Sequence, residues 1–551
     1  SPLYWGLAAD ADSPRLGDGT RSLIAKLPHF GSKKRQQSTD VAAEAKAWLA
    51  EIDQGSATVE LGLEALAWAY ALPQLADTLP ADCWWELLGR LFDLTTATGA
   101  AAIQGSVGDP WVWQSQLLAA ELPLALAYTL PEINACRELA PASGAAIAAA
   151  MDELLDDQGL LKFSNFARLR PLLACWTRSR AMADELKPAR WKKPARKQYA
   201  SLVRQALRVT RRDGSQVFSR QEVDATVQQE FWAAAVHYAG NAKTTRAATE
   251  MLTGEASKPR KSRLSERGKS LPSPATHSER SAFGLLRTDW SADSTRLAVG
   301  YSGRHIATEL TCGRDIIWSG HCQPQIRFQG DVLQPTGDWE EVCWLSDKDV
   351  DYLEVDIALG PNVRLERHML LAREDNFLFW ADAILANEPG DIDYRLSLPL
   401  RPETSFEPAQ ETREGFLVGS KRRGLVLPLA LPEWRIDPRV GSCESADDGL
   451  VLRQSATNAR GMFVPMFVDL NRARFDRKMT WRQLTVAENR QNQPPDLAVG
   501  YRVQVGREQW LMYRSLTSAV GRSLLSHHLL TQFLVGRFTP QGTVQVLVEI
   551  E

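Results

Sequence analysis

Residues 353–385 read LEVDIALGPNVRLERHMLLAREDNFLFWADAIL, and this stretch carries the strongest structural signal in the chain. Every second residue of the first seven is apolar, which is the period of two that places alternate side chains on the same face of a strand. The Gly-Pro-Asn sequence at 360–362 is a turn signal, and strand-like runs follow at 363–371 and 376–385. The stretch therefore predicts consecutive β-strands with one polar face.

The same alternation returns at 544–550. Because many such runs are separated by short turns, they favour a large antiparallel β-sandwich domain over residues 282–551. We expect the charged run from Arg364 to His368 on a solvated face of a sheet. No GxGxxG or P-loop sequence is present, so nothing in this half supports nucleotide binding.

Residues 1–254 show a helical period instead. From Trp84 to Phe92 the apolar residues recur at i, i+3, i+4, i+7 and i+8, which places them on one stripe of a helix. The segments 61–70 and 223–238 are similar. Sequential helices with short connections favour antiparallel hairpins, which can close into an α/α toroid-like domain, although a simple bundle or solenoid remains open. The fold class is therefore α+β and multidomain, with the helical domain first.

A basic Ser/Pro-rich linker at 255–281 separates the two halves. It has too few apolar residues to repay its ordering entropy, so it is either a solvated linker or a strap that binds acidic sugar or phosphate. The net charge of −3 indicates no nucleic-acid binding, and no apolar run approaches the roughly 20 residues that span a bilayer. The seven cysteines lack CxxC spacing, and the histidines lack metal-ligand spacing. We expect no metal and no cofactor, and the oligomeric state stays open.

Three stretches of the C-terminal half resemble the β-domain of the heparinase II/III-like polysaccharide lyases. They are FGLLRTDWSADSTRLAVGYSG at 283–303, ELTCGRDIIWSG at 309–320, and VRLERHMLLAREDNFLFWADAIL at 363–385. In the helical half, 113–132 is similar to the helix after the family's Asn-His motif, and 211–219 is similar to its Asp-Gly-Ser turn. The resemblance implies an acidic polysaccharide as partner, β-elimination at a uronic acid, and a periplasmic or extracellular location, although the sequence shows no signal peptide.

The chain differs from the family at its chemical motifs. Residues 108–114 read GDPWVWQ, with neither Asn nor His, and Gln216–Arg220 supplies no Glu or Tyr after the Asp-Gly-Ser turn. The family's His-x-His-x-Asp pattern is also absent, and YSGRH at 301–305 lies nearest to its place. Two functions therefore follow from the resemblance: a lyase, or a non-catalytic carbohydrate-binding or scaffold protein with a degenerate lyase architecture. A protein-interaction module is the third possibility.

A lyase of this kind needs a general base, an acid for the leaving oxygen, and a group that neutralises the carboxylate. In YSGRH, we expect Tyr301 to supply the acid, Arg304 the carboxylate clamp and His305 the base, with Tyr301 and His305 on the same side of a strand. The alternative is a strand end with ordinary hydrogen bonds. His237 and Tyr238, on a predicted helix, form a second candidate pair, for which a packed aromatic is the alternative.

The candidates for sugar binding are mainly aromatic, because sugars pack their C–H faces on rings. Trp111 and Trp113 stand where the family motif would lie, Trp318 stands near a strand end, and His321 follows Gly320 in a predicted loop. For Trp111 and Trp113, a place in the core of the helical domain or at a domain interface is the alternative interpretation.

Overall fold

The computed structural model describes residues 1–7, 17–27, 37–52, 58–101, 111–162, 168–219, 225–253, 271–436, 441–447, 449–518 and 520–551. The chain divides into two compact units, Ser1–Pro272 and Ser273–Glu551, which we call the helical unit and the β-unit. The division falls inside the predicted linker, of which residues 255–270 lie outside the described part. Among the described helices, none is long and apolar enough to cross a membrane.

The described helices of the helical unit are α1 (Asp18–Lys26), α2 (Gln37–Ile52), α3 (Val59–Leu75), α4 (Ala81–Ala101), α5 (Trp111–Ser115), α6 (Leu122–Thr129), α7 (Asn134–Arg137), α8 (Ala140–Leu154), α9 (Leu169–Glu185), α10 (Lys193–Val209), α11 (Ala225–Ala239) and α12 (Ala242–Thr253). Short 3-10 turns occupy Pro2–Gly6 and Lys187–Ala189, and Gln116–Glu121 forms a π-helical turn between α5 and α6.

Local sequence explains where these helices begin and what they bury. The side chain of Thr58 caps α3 by accepting a hydrogen bond from the backbone N–H of Leu61. The stripe predicted at 84–92 lies within α4, where Leu87 and Leu91 are fully buried. The predicted helical half is therefore confirmed, while its closure into a toroid stays a prediction.

A buried ion pair ties the π-helical turn to α9. The Arg178 guanidinium donates through Nε and Nη2 to the two carboxylate oxygens of Glu121, at 2.6 and 2.8 Å. Both side chains are almost completely buried. A bidentate pair of this kind fixes the relative position of the two backbone segments that carry it.

The strands of the β-unit are β1 (Thr276–Ser278), β2 (Phe283–Arg287), β3 (Thr295–Gly300), β4 (Ala307–Cys312), β5 (Asp315–His321), β6 (Gln325–Phe328), β7 (Asp331–Val332), β8 (Glu340–Ser346), β9 (Val350–Ala358), β10 (Val363–Ala372), β11 (Phe377–Leu398), β12 (Ser405–Pro408), β13 (Gly415–Val418), β14 (Arg422–Pro428), β15 (Gly441–Ala446), β16 (Gly449–Asp469), β17 (Met479–Leu484), β18 (Val486–Glu488), β19 (Gln491–Asn492), β20 (Ala498–Val505), β21 (Glu508–Ser515), β22 (Arg522–Leu524), β23 (His527–Leu529), β24 (Phe533–Phe538) and β25 (Val544–Ile550).

Antiparallel pairing assembles these strands into four sheets. One sheet follows chain order from β1 to β5, and the largest has the order β12-β13-β14-β16-β11-β10-β9-β8, with β15 and β6 on its margins. Two smaller sheets have the orders β17-β20-β21-β24-β25 and β19-β18-β22-β23. The antiparallel β-rich half predicted from residues 353–385 is therefore confirmed, and these residues form β9, β10 and the start of β11. Because β1 begins at Thr276, the end of the predicted linker belongs to a sheet.

The central strands of the largest sheet are covered on both faces. On one face, Leu353 shares a hydrophobic core with Leu297 of the first sheet. On the other, Tyr352 stacks on Phe533 of β24, with ring centroids 5.5 Å apart. Alternate side chains of β9 and β10 therefore point into two different hydrophobic cores, so the alternation does not mark a face in solvent.

This double coverage overturns the solvated face expected for Arg364–His368. Glu366, Arg367 and His368 are all buried. Arg364 keeps about half of its side chain exposed and pairs with Asp356 at 3.3 Å. Glu366, Arg367 and His368 are therefore interior groups, and each needs a partner inside the protein.

Candidate active site

Two exposed histidines meet at one corner of the β-unit. The rings of His305 and His321 have centroids 5.8 Å apart and planes inclined by 64°. Arg304, directly before the first of them, is also exposed. His305, the predicted base, and His321, a predicted substrate contact, therefore lie together on an accessible surface, and we call these two residues the histidine pair.

The backbone places these side chains through a tight turn between β3 and β4. Gly303 has a φ of +60°, in the left-handed region that glycine adopts without strain. His321 stands at the end of β5, directly opposite Ala307 in β4. Arg304 and His305 therefore lie in a turn, and the expectation that Tyr301 and His305 share one face of a strand is wrong.

Tyr301 points away from the histidine pair and into the protein. It is only 2% exposed, and its hydroxyl lies 2.7 Å from Nε2 of His277 in β1. Burial, together with the nearby Glu341 and Glu279 carboxylates, raises the pKa of the Tyr301 phenol. The predicted trio of Tyr301, Arg304 and His305 is therefore divided between a buried site and an exposed one.

His277 is the partner that the sequence interpretation missed, because it fell in the predicted linker. Its ring stacks on Trp344 at a centroid distance of 5.1 Å, and its Nε2 lies 3.3 Å from the Glu341 carboxylate. Burial lowers the pKa of His277 to about 4, so the imidazole is neutral at pH 7. Because the ring is neutral, the contact between its Nε2 and the Glu341 carboxylate is a polar contact and not an ion pair, although the two atoms lie only 3.3 Å apart.

In the helical unit, His237 and Tyr238 lie in α11, and their rings make an edge contact at 4.9 Å. His237 is exposed and Tyr238 is half-buried. His237 lines a cavity of about 890 Å³, whose other polar lining groups include Asp213 of the Asp-Gly-Ser turn and Asn241. The structure thus brings His237 beside the second motif that the family resemblance identified.

The predicted sugar-binding tryptophans are not at the surface. Trp318 is fully buried, and its indole N–H donates to Oγ1 of Thr308 at 3.0 Å. Trp113 is 6% exposed, so neither ring presents a face on which a sugar can stack. Trp111 begins α5, but its side chain lies outside the described part of the chain. For Trp113 and Trp318, the prediction of sugar stacking is wrong, and Trp113 packs in the core as its alternative interpretation stated.

Among the described residues, Glu354, Glu366 and His368 bring three potential metal ligands close together in the interior. The Glu366 carboxylate already accepts hydrogen bonds from Arg514 and Arg364, and the Tyr352 hydroxyl donates to Glu354 at 2.7 Å. The arginines neutralise Glu366, and the Tyr352 hydroxyl satisfies Glu354, so neither carboxylate needs a metal ion as its partner. A packed polar cluster explains the arrangement, since every carboxylate in it has a partner.

A buried network lies beneath the histidine pair. Arg367 donates through Nε and Nη2 to the two carboxylate oxygens of Asp382, both at 2.7 Å, and through Nη1 to the carbonyl oxygen of Cys322 at 2.9 Å. The Tyr394 hydroxyl donates to the same Asp382 carboxylate at 2.6 Å. Burial opposes the charge of Arg367, but Asp382 more than offsets it, so the pKa of this guanidinium is raised. None of these residues was identified as functional from the sequence.

No protein-family model and no curated protein sequence matches this chain. Solved structures do match. The heparan sulfate lyase HepC from Pedobacter heparinus is 10% identical over 93% of this chain and 84% of its own, with a TM-score of 0.61. A mutant of the same lyase is 11% identical over 90% of this chain and 81% of its own, with a TM-score of 0.62. A structure of heparinase III is 9% identical over 90% and 82%, with a TM-score of 0.61. The fold of this chain is therefore a divergent heparinase-like fold.

Proposed function

We propose that this protein, which has a heparinase-like fold, acts on an acidic polysaccharide and cleaves it by β-elimination at a uronic acid. The histidine pair carries the proposal, because it places two accessible imidazoles beside an exposed arginine. Imidazole is the side chain best suited to proton transfer near neutral pH, and arginine suits recognition of a carboxylate. The resemblance to heparan sulfate lyases supports the class of substrate.

In the proposed reaction, His305 removes the proton from the carbon next to the uronate carboxylate. Arg304 neutralises that carboxylate as negative charge develops on it. The bond between the neighbouring ring carbon and the glycosidic oxygen then breaks, a carbon–carbon double bond forms in the sugar, and the leaving oxygen takes up a proton. We assign that proton to His321, since Tyr301 is buried against His277 and does not reach the surface.

The cavity beside His237 has a separate place in this proposal. We assign His237 to contact with the glycan, because it lines the cavity. We assign Tyr238 to support of the His237 ring, because the two rings make an edge contact. Asn241 and Asp213 add polar groups to the same cavity. Such a cavity suits a sugar unit, which combines hydroxyl groups with apolar C–H faces.

A non-catalytic carbohydrate-binding protein is the second candidate, and one observation favours it. The tyrosine predicted to be the acid is sequestered with His277, so the acid and base expected from YSGRH do not face the same surface. A protein of this kind would bind an acidic glycan through Arg304 and the histidine pair without cleaving it.

A panel of uronate polysaccharides separates the two candidates. Heparan sulfate, chondroitin, hyaluronan and alginate are each incubated with the protein, and the ultraviolet absorbance of the unsaturated product is followed while binding is measured by calorimetry. The lyase proposal expects product from at least one glycan. Binding without product on every glycan of the panel would establish the second candidate in its place.

The residue assignment is tested on the glycan that is cleaved. His305→Ala is expected to abolish product formation, and His321→Ala to lower it on the order of 10²-fold or more, as for loss of a positioned acid or base. His528→Ala is the matched control, because His528 is another exposed histidine of the β-unit on a different sheet. An unchanged rate in His305→Ala would remove this residue from catalysis.

A further inference from the structure

The side chain of Arg367 connects the two segments that carry the histidine pair. Its Nη1 donates to the carbonyl oxygen of Cys322, which directly follows His321. The N–H of the same Cys322 donates to the carbonyl oxygen of Ile306 at 3.1 Å, and Ile306 directly follows His305. Through Cys322, this guanidinium group is thus connected to both histidine-bearing segments, just beyond the β4–β5 pairing that also joins them.

A second connection runs through Trp339. The Arg367 guanidinium carbon lies 5.6 Å from the centre of the Trp339 ring. The backbone N–H of Trp339 donates to the carbonyl oxygen of Gly303 at 2.9 Å, and its indole N–H donates to Oε1 of Gln323 at 3.2 Å. Gly303 precedes the exposed Arg304, so the turn that presents Arg304 and His305 is bonded to the backbone of the residue whose ring Arg367 contacts.

Arg367 is itself held rigidly from below. It stands directly opposite Asp382 in the β10–β11 register, and the two form a bidentate pair that is completely buried. Tyr394 fixes the carboxylate of that pair, and the Trp380 ring lies 4.5 Å from the guanidinium carbon. A planar fork bonded on two sides and packed against a ring has little freedom to move.

Stability alone does not account for such a pair. Burying two charges costs several kcal/mol, and apolar residues of similar volume often replace a buried ion pair without loss of stability. Arg367 and Asp382 lie in a core that is otherwise apolar, with Leu365 and Met369 on the same face of β10. A requirement to hold the histidine pair in a fixed geometry explains why a charged pair occupies this position in the core.

We propose that Arg367 is the positioning residue of the histidine pair: through Cys322 and Trp339 it sets the spacing of His305 and His321. The proposal rests on the proposed function for its catalytic consequence. Its geometric content stands without it, because the spacing of two rings is measurable in a protein that cleaves nothing.

The test replaces the buried pair by apolar residues in the full chain. In Arg367→Met/Asp382→Leu, we expect a folded protein in which the nuclear Overhauser signal between the imidazole C–H protons of His305 and His321 disappears. Protein with ¹³C-labelled histidine provides that measurement, and His321→Ala assigns the signals. On a glycan that the wild type cleaves, kcat is expected to fall on the order of 10²-fold, as for a misplacement of about 1 Å.

The matched control is the pair Arg474–Asp469, a second buried bidentate pair of the β-unit with bonds of 2.6 and 2.8 Å. Arg474→Met/Asp469→Leu is expected to leave the Overhauser signal and kcat as in the wild type. Disappearance of the signal in both double variants would show a general loosening of the β-unit and would overturn a specific role of Arg367.

Arg367→Lys keeps the charge but lacks the fork, so it decides the question if the double variant does not fold. It is expected to keep the fold and to weaken the Overhauser signal. A folded Arg367→Lys or double variant with an unchanged signal contradicts the proposal. If the signal disappears as expected but no glycan yields product with the wild type, only the proposed function is contradicted.

Discussion

Two histidine groups of the β-unit use the same kinds of side chain for different ends. His277 lies against the Tyr301 hydroxyl and is largely buried, whereas His305 and His321 face each other on the surface. Burial lowers the pKa of His277 to about 4 and so keeps it neutral at pH 7. The exposure of an imidazole to water decides whether it can take part in proton transfer or only in packing and hydrogen bonding. Its neighbours in the sequence do not decide this.

The charges around the two groups differ as well. His277 has the Glu341 carboxylate at 3.3 Å. Burial raises the pKa of Glu341, and the nearby Glu279 carboxylate raises it further. His305 instead follows Arg304, which is exposed. An anionic sugar would be repelled by the first environment and attracted by the second. This difference supports the proposal that an acidic glycan binds at the histidine pair.

The largest effect on stability is expected at a buried aromatic ring that the sequence placed at the surface. Trp318→Ala should lower the free energy of unfolding by about 3–5 kcal/mol, because it leaves a cavity and removes the hydrogen bond that the Thr308 hydroxyl accepts from the indole. Trp434→Ala is the control, since Trp434 is 48% exposed. Urea unfolding followed by circular dichroism gives both values, and equal losses would contradict the difference between buried and exposed rings.

The next effect is a pH dependence of stability that comes from the burial of His277. The unfolded chain protonates His277 near pH 6.5, and the folded protein only near pH 4. The unfolded state therefore binds more protons between these values, and acidification through this window should cost on the order of 3 kcal/mol of stability. Glu341 acts in the opposite sense, since its raised pKa lets the folded state take up a proton more readily.

His277→Gln isolates this effect, because glutamine does not titrate. Urea unfolding of the wild type and the variant is compared from about pH 7 to about pH 4.5. The loss of stability on acidification should be smaller in the variant by most of the His277 contribution. Parallel pH profiles would show that His277 is not held neutral by burial.

A smaller effect is expected at the hydroxyl that binds His277. Tyr301→Phe removes one buried hydrogen bond, so it should cost about 1–2 kcal/mol in thermal or urea unfolding. The histidine pair should be unaffected, because the Tyr301 hydroxyl does not contribute to it. If a stable Tyr301→Phe variant had lost lyase activity, the acid would be Tyr301, as the sequence predicted, and not His321.

The smallest effect on stability belongs to the exposed pair. His305→Ala and His321→Ala should each change the free energy of unfolding by no more than about 0.5 kcal/mol, as is usual for exposed side chains without a buried partner. A loss comparable to that of Trp318→Ala would mean that the rings are structural.

The sequence predicted strands well where a period is visible, and it failed where distant packing decides. The pattern in 353–385 predicted β9, β10 and the start of β11 correctly, because the period of two is a property of the strand itself. It placed Arg364–His368 in solvent because no local pattern shows that a second core, containing Tyr352 and Phe533, covers the other face. The strands that form this second core, β17–β25, are far from β10 in the sequence, so no local pattern shows that they pack against it.

The candidate site was predicted in part for the same reason. His305, Arg304 and His321 were all identified, but their grouping depends on the Gly303 turn and on the pairing of Ala307 with His321. His277 was missed because β1 has three residues, too few to show a period, in a Ser/Pro-rich context. The network of Arg367 and Asp382 was missed because their pairing is a matter of strand register, which the sequence does not display.

The most direct measurement compares the two histidine groups in one assay. The rate of unsaturated product formation is measured at pH 7 for wild type, His305→Ala and His277→Gln, on a uronate polysaccharide that the wild type binds. We expect His305→Ala to form product about 10²–10⁴-fold more slowly and His277→Gln to stay close to the wild-type rate. An active His305→Ala beside an inactive but folded His277→Gln would contradict the assignment of chemistry to the exposed pair.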